Sequence, residues 1–241
     1  MNNGFNSMKN LPTPPVPVLA RAKGNNVPEL VEWFVDYFNR DSAFFNYRRS
    51  TLATKSAYKG LHSLPQLVAG CQAEKTPVGR SANCDVVRHA APFAFGRSTQ
   101  VFDLSARRFP FGVNRQSAYR IPFFFVEDAI IKAFFLQPTK GIVFDKMELG
   151  MIATIIKRYL LDTEFFGQRC DIELVDVGAP DGVVRLPRKY SLLELPLWTD
   201  SQLERRLTML AEALSIVAQG DRVTRSPRVY NRPDAGMPLF D

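Results

Sequence analysis

The feature that most constrains the fold of this chain is a pair of apolar runs near its middle. The runs IPFFFV and AIIKAFFLQ are rich in phenylalanine and isoleucine, and Glu127 and Asp128 stand between them. Aromatic and β-branched residues favour strands, and polar residues between such runs suit a tight connection. The sequence therefore predicts a β-hairpin, and the consecutive Phe123, Phe124 and Phe125 indicate a strand buried on both faces.

Helical and strand patterns alternate around this hairpin. The segment FDKMELGMIATIIKRYLL repeats apolar residues at helical spacing, and Asp145 is its predicted N-cap. DIELVDVG then predicts a further strand, and the short segments VVRLP and LLELP predict edge strands. Upstream, DVVRHAAPFAF, TQVFDL and AYRIPFFF contain similar runs of Val, Phe and Ile, and we interpret them as strands as well.

Capping signals predict helices before and after the strands. Asn26 and Ser63 each precede a segment with proline in its first turn, as is typical of a helix start. Thr199 and Gln202 form a capping-box pattern, and leucines then recur at helical spacing up to Gly220. We interpret this leucine stripe as a core-facing helix, and a coiled-coil seam is the alternative.

This order of elements predicts an α+β fold in which helices flank a single antiparallel or mixed sheet. We expect one domain over residues 27–220. Residues 1–26 are rich in proline and asparagine and are expected to form a flexible lead-in. Residues 221–241 are expected to form a basic flexible tail that ends in an apolar motif. The predicted fold therefore has disordered N- and C-terminal tails.

Several classes of protein are disfavoured by the sequence. The first residues lack the basic region and uninterrupted apolar core of a secretory signal. The most apolar segments are interrupted by charges or are shorter than the roughly 20 residues that cross a bilayer. Cys71, Cys84 and Cys170 are odd in number and widely spaced, which favours a reducing compartment over a disulfide framework. We therefore expect a cytoplasmic protein without a membrane partner.

The positive charge is concentrated in one region. The chain has a net charge of +7, yet residues 42–126 contain 12 Lys and Arg against 3 Asp and Glu, whereas residues 127–221 contain 11 against 15. Such an uneven distribution is typical of proteins that bind a polyanion. The alternative is that the fold disperses these cations over several faces.

The segment SARRFPFGVNRQSAYRIPFFF, residues 105–125, combines arginines with aromatic residues and contains no acid. Arg107, Arg108 and Arg115 are the predicted phosphate contacts, and Phe109 and Phe111 are predicted to stack on unpaired bases. The FPFGVNRQ portion is expected to be an exposed loop because it contains glycine and asparagine. The alternative is that strand alternation buries the aromatic rings and exposes the arginines.

Four residues are candidate metal ligands. His62, Cys71, Cys84 and His89 are potential zinc ligands, but they lack the close pairs, such as C-x2-C, of structural zinc sites. The sequence also contains no phosphate-binding loop of the G-x-x-x-x-G-K-[ST] or G-x-G-x-x-G type. We therefore expect neither a metal nor another cofactor.

A nuclease is the enzymatic alternative. Gln137 and Lys140 end a predicted strand just before a helix and a further strand, with Asp103 and Glu127 as the nearest acids. This order resembles the core of the restriction-endonuclease-like nucleases. The resemblance implies that two acids bind a metal and that a lysine assists the attacking water. Here glutamine, proline and threonine precede Lys140, where that family has an acid and a spacer.

The C-terminal residues form a second candidate site. The tail ends in GMPLFD, and apolar residues such as Met237, Leu239 and Phe240 on a polar tail favour docking onto a partner. The ending resembles the peptides with which bacterial replication and repair proteins bind the DNA sliding clamp. Gly236 stands where those peptides have glutamine.

Taken together, these patterns predict a protein that binds DNA or RNA through a basic, aromatic-rich surface, without identifiable catalysis. The alternatives are an interaction or assembly module that uses the leucine-rich helix and the tail, and a degenerate metal-dependent nuclease with Asp103, Glu127, Gln137 and Lys140 as its candidate site.

Overall fold

The computed structural model describes residues 11–40 and 46–224. Its helices are α1 (Val16–Ala20), α2 (Val27–Asn39), α3 (Arg48–Tyr58), α4 (Leu64–Cys71), α5 (Pro77–Ala90), α6 (Lys146–Ile156), α7 (Asp162–Glu164) and α8 (Asp200–Gln219). Its strands are β1 (Gln100–Asp103), β2 (Arg108–Pro110), β3 (Gln116–Ala118), β4 (Phe123–Glu127), β5 (Ile130–Gln137), β6 (Cys170–Asp176) and β7 (Arg188–Tyr190). The α+β fold with flanking helices is therefore confirmed.

The described residues divide into two compact units. The first contains 11–40, 108–119 and 198–224, and the second contains 46–107 and 120–197. The segment 27–220, for which the sequence predicts one domain, thus contributes to both units.

In the first unit, α8 packs along α2. The Thr199 side chain caps α8 through a capping box with Gln202, as the sequence predicts. The apolar stripe of α8 is buried, and its members include Leu203, Leu207, Leu210, Leu214 and Val217. The prediction of a core-facing helix is therefore confirmed.

The described part of the predicted lead-in is packed against this unit. Leu11, Val16 and Leu19 are buried, since the apolar residues between the prolines supply a short helix with a core face. The Ser117 hydroxyl donates a hydrogen bond to the Pro14 carbonyl at 2.7 Å. Residues 11–26 of the predicted lead-in therefore include the short helix α1 with a buried face.

The second unit contains a five-stranded mixed sheet with the order β1-β4-β5-β6-β7. All neighbouring strands are antiparallel except β5 and β6, which are parallel and have α6 in their crossover. Asp128 and Ala129 have φ angles of 52° and 59°, as a two-residue type I′ turn requires, so the predicted hairpin is confirmed. The β4–β5 hairpin, helix α6 and strand β6 follow one another in the order that underlies the resemblance to the restriction-endonuclease-like nucleases.

The two faces of this sheet are covered by different helices. On one face, Tyr58 of α3 packs on Phe123, Phe125 and Phe134, with ring centroids 4.8 to 5.6 Å apart. Helices α3, α4 and α5 contact one another and form the core of this face. On the other face, Phe165, which follows α6 and α7, packs on Phe124.

The structure corrects several strand predictions. DVVRHAAPFAF is wrong as a strand, because it forms the end of α5 and a 3₁₀ turn at Ala91–Ala94. The Thr76 side chain accepts the Gly79 N–H at 3.1 Å and starts α5, and buried side chains then recur at helical spacing. VVRLP is irregular, LLELP begins as a 3₁₀ turn, and the edge strand is β7 between them. AYRIPFFF is interrupted by Arg120, whose φ is 61°.

Candidate nucleic-acid surface

The aromatic residues predicted to stack on bases lie in the interior of the first unit. Phe109 and Phe111 are only 1% and 3% exposed. The Phe109 ring lies 6.2 Å from Phe111 and 5.6 Å from Tyr119, measured between centroids. Neither phenylalanine therefore presents a ring face to an unpaired base in this conformation.

The three arginines of the same stretch differ in their surroundings. Arg107 and Arg108 are exposed, and Arg107 forms an ion pair with Glu164 at 3.1 Å. Arg115 is half-buried, and burial lowers the pKa of its guanidinium. Arg107 and Arg108 are thus the more accessible to a phosphate.

Part of the positive excess in 42–126 is neutralised by acids. Lys55 pairs with Asp103, and Arg97 pairs with two glutamates. Other basic residues of this region are exposed and form no ion pair within 11–40 and 46–224, namely Lys59, Lys75 and Arg88. The region therefore keeps accessible cations after folding.

Exposed aromatic residues occur elsewhere, on the sheet face opposite Tyr58. We define the aromatic row as Phe102, Phe124, Phe165 and Phe166. Phe102 of the edge strand β1 stacks on Phe124 with centroids 5.2 Å apart and an interplanar angle of 15°, and Phe124 lies 5.0 Å from Phe165. Phe102 is 43% exposed and Phe166 is 85% exposed. Grouped exposed apolar side chains of this kind are typical of binding surfaces.

Basic side chains flank the aromatic row. Arg107 forms an ion pair with Glu164, the residue before Phe165. Lys157 donates hydrogen bonds to Asp162 at 2.7 and 3.0 Å. Arg169 is exposed, and its guanidinium has no partner in the part of the chain that the structure describes.

Sequence reasoning missed most of this surface. Phe102 and Phe124 lie in segments interpreted as strands, and their common face becomes visible only once β1 and β4 are paired in register. The sequence feature that indicates this surface is the pair Phe165 and Phe166 in the otherwise polar segment TEFFGQR, because grouped apolar side chains on a polar loop are typical of a binding surface.

A second arrangement of charged groups lies on the Tyr58 face of the sheet. We define the polar cluster as Arg97, Glu127, Glu173, Lys132 and Tyr58. Arg97 donates two hydrogen bonds to Glu127 at 2.6 and 2.7 Å, two to Glu173 at 2.8 and 2.9 Å, and one to the Phe93 carbonyl at 3.0 Å. Lys132 donates to Glu127 at 2.8 Å, and the Tyr58 hydroxyl donates to Glu173.

These contacts shift the pKa values of the groups in the cluster. The hydrogen bonds from Arg97, with a further contribution from Lys132, lower the pKa of Glu127 to about 2. Hydrogen bonding to Glu127 raises the pKa of Arg97, and burial raises the pKa of Tyr58. The arginine therefore lies between two carboxylates and satisfies both of them.

The acids proposed for a nuclease do not come together. In the sheet, Asp103 pairs with Phe123 at the start of β4, whereas Glu127 is at its end. At about 3.3 Å per residue, the two carboxylates are attached roughly 13 Å apart along the strand. Lys140 follows the end of β5, far from Glu127 along the hairpin, and it is Lys132 that contacts this acid.

The Gln137 side chain forms hydrogen bonds with the backbone of the turn after β5. Its side-chain amide is buried and donates to the carbonyls of Thr139 and Ile142, both at 2.7 Å, while its oxygen accepts the Thr139 N–H at 3.0 Å. Both the amide nitrogen and the amide oxygen of Gln137 thus bind the backbone of the turn after β5.

The potential zinc ligands are likewise occupied or separated. Cys71 and Cys84 are buried free thiols, and burial raises the pKa of Cys71 to about 12. The His89 ring nitrogen lies 2.8 Å from the Asp85 carbonyl. His62 is partly exposed. Among residues 11–40 and 46–224, no three His, Cys, Asp or Glu side chains come close enough to hold a metal.

Comparison of the chain with protein-family models, with curated proteins and with solved structures gives no match. None of the helices in the two described ranges is long and apolar enough to cross a membrane. The predicted partner-binding residues Met237, Leu239 and Phe240 lie outside the described residues.

Proposed function

We propose that this protein binds single-stranded DNA or RNA through the aromatic row and the cations beside it. The observation that carries the proposal is the contact from the exposed Phe102 through Phe124 to Phe165, which directly precedes the exposed Phe166. Single-strand binders combine aromatic side chains that stack on bases with basic groups that follow the backbone.

Charge supports the same function. Arg107 and Lys157 pair with Glu164 and Asp162, which precede Phe165, and Arg169 follows Phe166 by three positions and has no acidic partner among the described residues. If these three cations contact phosphates, the salt dependence for a single strand has a slope of about −2. Affinity then falls roughly 20-fold between 50 and 200 mM salt.

The alternatives have less support. An assembly module was motivated by the leucine stripe of α8, but that stripe is buried inside the first unit. A metal-dependent nuclease needs carboxylates that converge on an ion, and Asp103 and Glu127 are at opposite ends of β4. We therefore include no catalytic step in the proposal.

The test is fluorescence anisotropy of labelled single-stranded DNA, single-stranded RNA and duplex DNA, titrated with the full chain at 50 and 200 mM salt. We expect tighter binding to the single strands than to the duplex. Phe102→Ala should weaken binding about 5- to 150-fold, because stacking of one base on an aromatic ring contributes about 1–3 kcal/mol.

Matched variants separate this surface from general effects of exposed groups. Phe95 is 41% exposed, close to the 43% of Phe102, and lies outside the row, so Phe95→Ala is the control. Arg169→Gln should weaken binding and reduce the salt dependence, whereas Arg205→Gln on α8 should not. Equal effects of Phe102→Ala and Phe95→Ala, or no binding to any strand at low salt, contradict the proposal.

A further inference from the structure

A cavity opens beside the aromatic row in the second unit. It has a volume of about 340 Å³ and lies between the end of the α6 helix and the start of β6. Such a volume is at the lower end of the range for small-ligand pockets, roughly 300–1,000 Å³. Side chains that matter for its chemistry are Lys157, Leu161, Phe165, Phe166, Gln168 and Cys170.

Two backbone irregularities contribute residues to the lining of this cavity. Residues Lys157–Leu161 form a π-helical turn at the end of α6, which is an uncommon conformation that occurs frequently at functional sites. Gly167 has a φ of 76° and reverses the chain between Phe166 and Gln168. A left-handed conformation of this kind favours glycine, so the turn is encoded by the sequence.

The lining of the cavity suits a planar heterocycle. Phe165, Phe166 and Leu161 supply apolar surface, and Lys157 with Asp162 supplies a charged rim. The Gln168 side chain is exposed, and its amide has no hydrogen-bond partner in the described residues. A glutamine amide can donate and accept at once, as the edges of nucleobases require.

The cavity is continuous with the aromatic row. Phe165 both lines the cavity and contacts Phe124, whose ring stacks on Phe102. The exposed Arg169 follows Gln168 directly, so a cation for the adjoining phosphate is close in sequence to the cavity edge.

We propose that this cavity takes one unpaired nucleobase of the bound strand, with Phe165 and Phe166 against its ring and Gln168 at its polar edge. The inference rests on the proposed single-strand binding and adds a base-binding position to it. Recognition of this kind, an extruded base stacked on aromatic residues and hydrogen-bonded at its edge, is a common mode for single strands.

Cys170 provides a direct test because it lines the cavity and is partly exposed, whereas Cys71 and Cys84 are buried at 0% and 2% exposure. The full chain is alkylated with iodoacetamide with and without a single-stranded oligonucleotide of about 12 nucleotides, within the range of known site sizes. Modification is followed for each cysteine by mass spectrometry, and strand binding is measured by anisotropy in the same samples.

We expect the bound strand to slow alkylation of Cys170 several-fold. Phe166→Ala should abolish this protection and weaken strand binding about 5- to 150-fold, and Gln168→Ala should weaken binding about 2- to 10-fold. Gln116→Ala, which changes an exposed glutamine of β3, is the matched control and should leave both readouts unchanged.

The outcomes distinguish the two proposals. A strand that binds but leaves the alkylation rate of Cys170 unchanged overturns the base-binding cavity and leaves binding by the row intact. Absence of strand binding at low salt overturns the proposed function and this inference together. Protection that persists equally in the Phe166 and Gln168 variants also contradicts the cavity, since the lining then plays no part.

Discussion

Replacing Arg97 with methionine is predicted to destabilise the protein strongly. Methionine retains an unbranched side chain in the space between Tyr58 and Phe125, whose ring centroids lie 5.3 and 5.1 Å from the Arg97 guanidinium carbon. The substitution removes four hydrogen bonds to carboxylates and one to the Phe93 carbonyl. The consequences differ for the two glutamates.

The magnitude follows from what each carboxylate retains. The Glu127 side chain is 15% exposed and keeps its hydrogen bond from Lys132. The Glu173 side chain is 5% exposed and, among the described residues, keeps only the hydrogen bond from the Tyr58 hydroxyl. Removing one partner of a buried ion pair costs about 3–5 kcal/mol, because the remaining charge is buried and uncompensated. We therefore expect the free energy of unfolding of Arg97→Met to fall by about 3–5 kcal/mol.

The assay is urea unfolding followed by far-UV circular dichroism near neutral pH, with the double variant Arg97→Met, Glu173→Gln as the control. The double variant removes the buried charge as well as its partner, so it should be more stable than the single variant. A loss below about 1 kcal/mol for Arg97→Met, as for an exposed ion pair, would contradict the prediction that a buried charge is left uncompensated. A double variant no more stable than the single one would do the same.

Further predictions concern stability. Arg97 lowers the pKa of the Glu127 carboxyl from its ordinary 4.5 to about 2, so ionised Glu127 stabilises the fold above pH 4.5 and this contribution is lost as pH falls towards 2. The difference in unfolding free energy between the parent and Glu127→Gln should therefore shrink between pH 4.5 and 2. A difference that stays constant over this range would contradict the prediction. Gln137→Leu should cost at least about 2 kcal/mol by chemical unfolding, because it leaves the buried turn after β5 without its hydrogen bonds. Gly112→Ala should lower the melting temperature, because Gly112 has a φ of 60° and an added Cβ would lie 2.4 Å from the Ala211 Cβ. Gly60 is exposed, has a φ of 68° and has no atom within 4 Å of an added Cβ, so Gly60→Ala controls for backbone strain alone.

The parts of the fold that the sequence predicts are those with local signals. Caps and periodic apolar residues mark α2, α6 and α8, and the polar pair after Val126 marks the hairpin. The strand prediction for the end of α5 is wrong because Val86 and Val87 favour strands, whereas in the structure both are buried at helical positions. The cap at Thr76 was the signal that could have identified it.

The functional surface depends on contacts between distant residues. Phe109 and Phe111 resembled a stacking surface in sequence, but the β2–β3 pairing and the packing of the first unit bury them. The aromatic row joins β1, β4 and the segment after α7, and the polar cluster joins residues 30 and 76 positions apart. No local pattern specifies such contacts, since they arise only from strand register and the parallel crossover.

Binding of a single strand at the aromatic row is tested most directly by photocrosslinking the full chain to a single strand that carries bromouracil and mapping the crosslinked peptides. The proposed surface predicts crosslinks in the peptides that contain Phe102 and Phe165–Phe166, and their loss in Phe102→Ala and Phe166→Ala respectively. Crosslinks confined to residues 108–118, or to any region apart from the aromatic row, would contradict it.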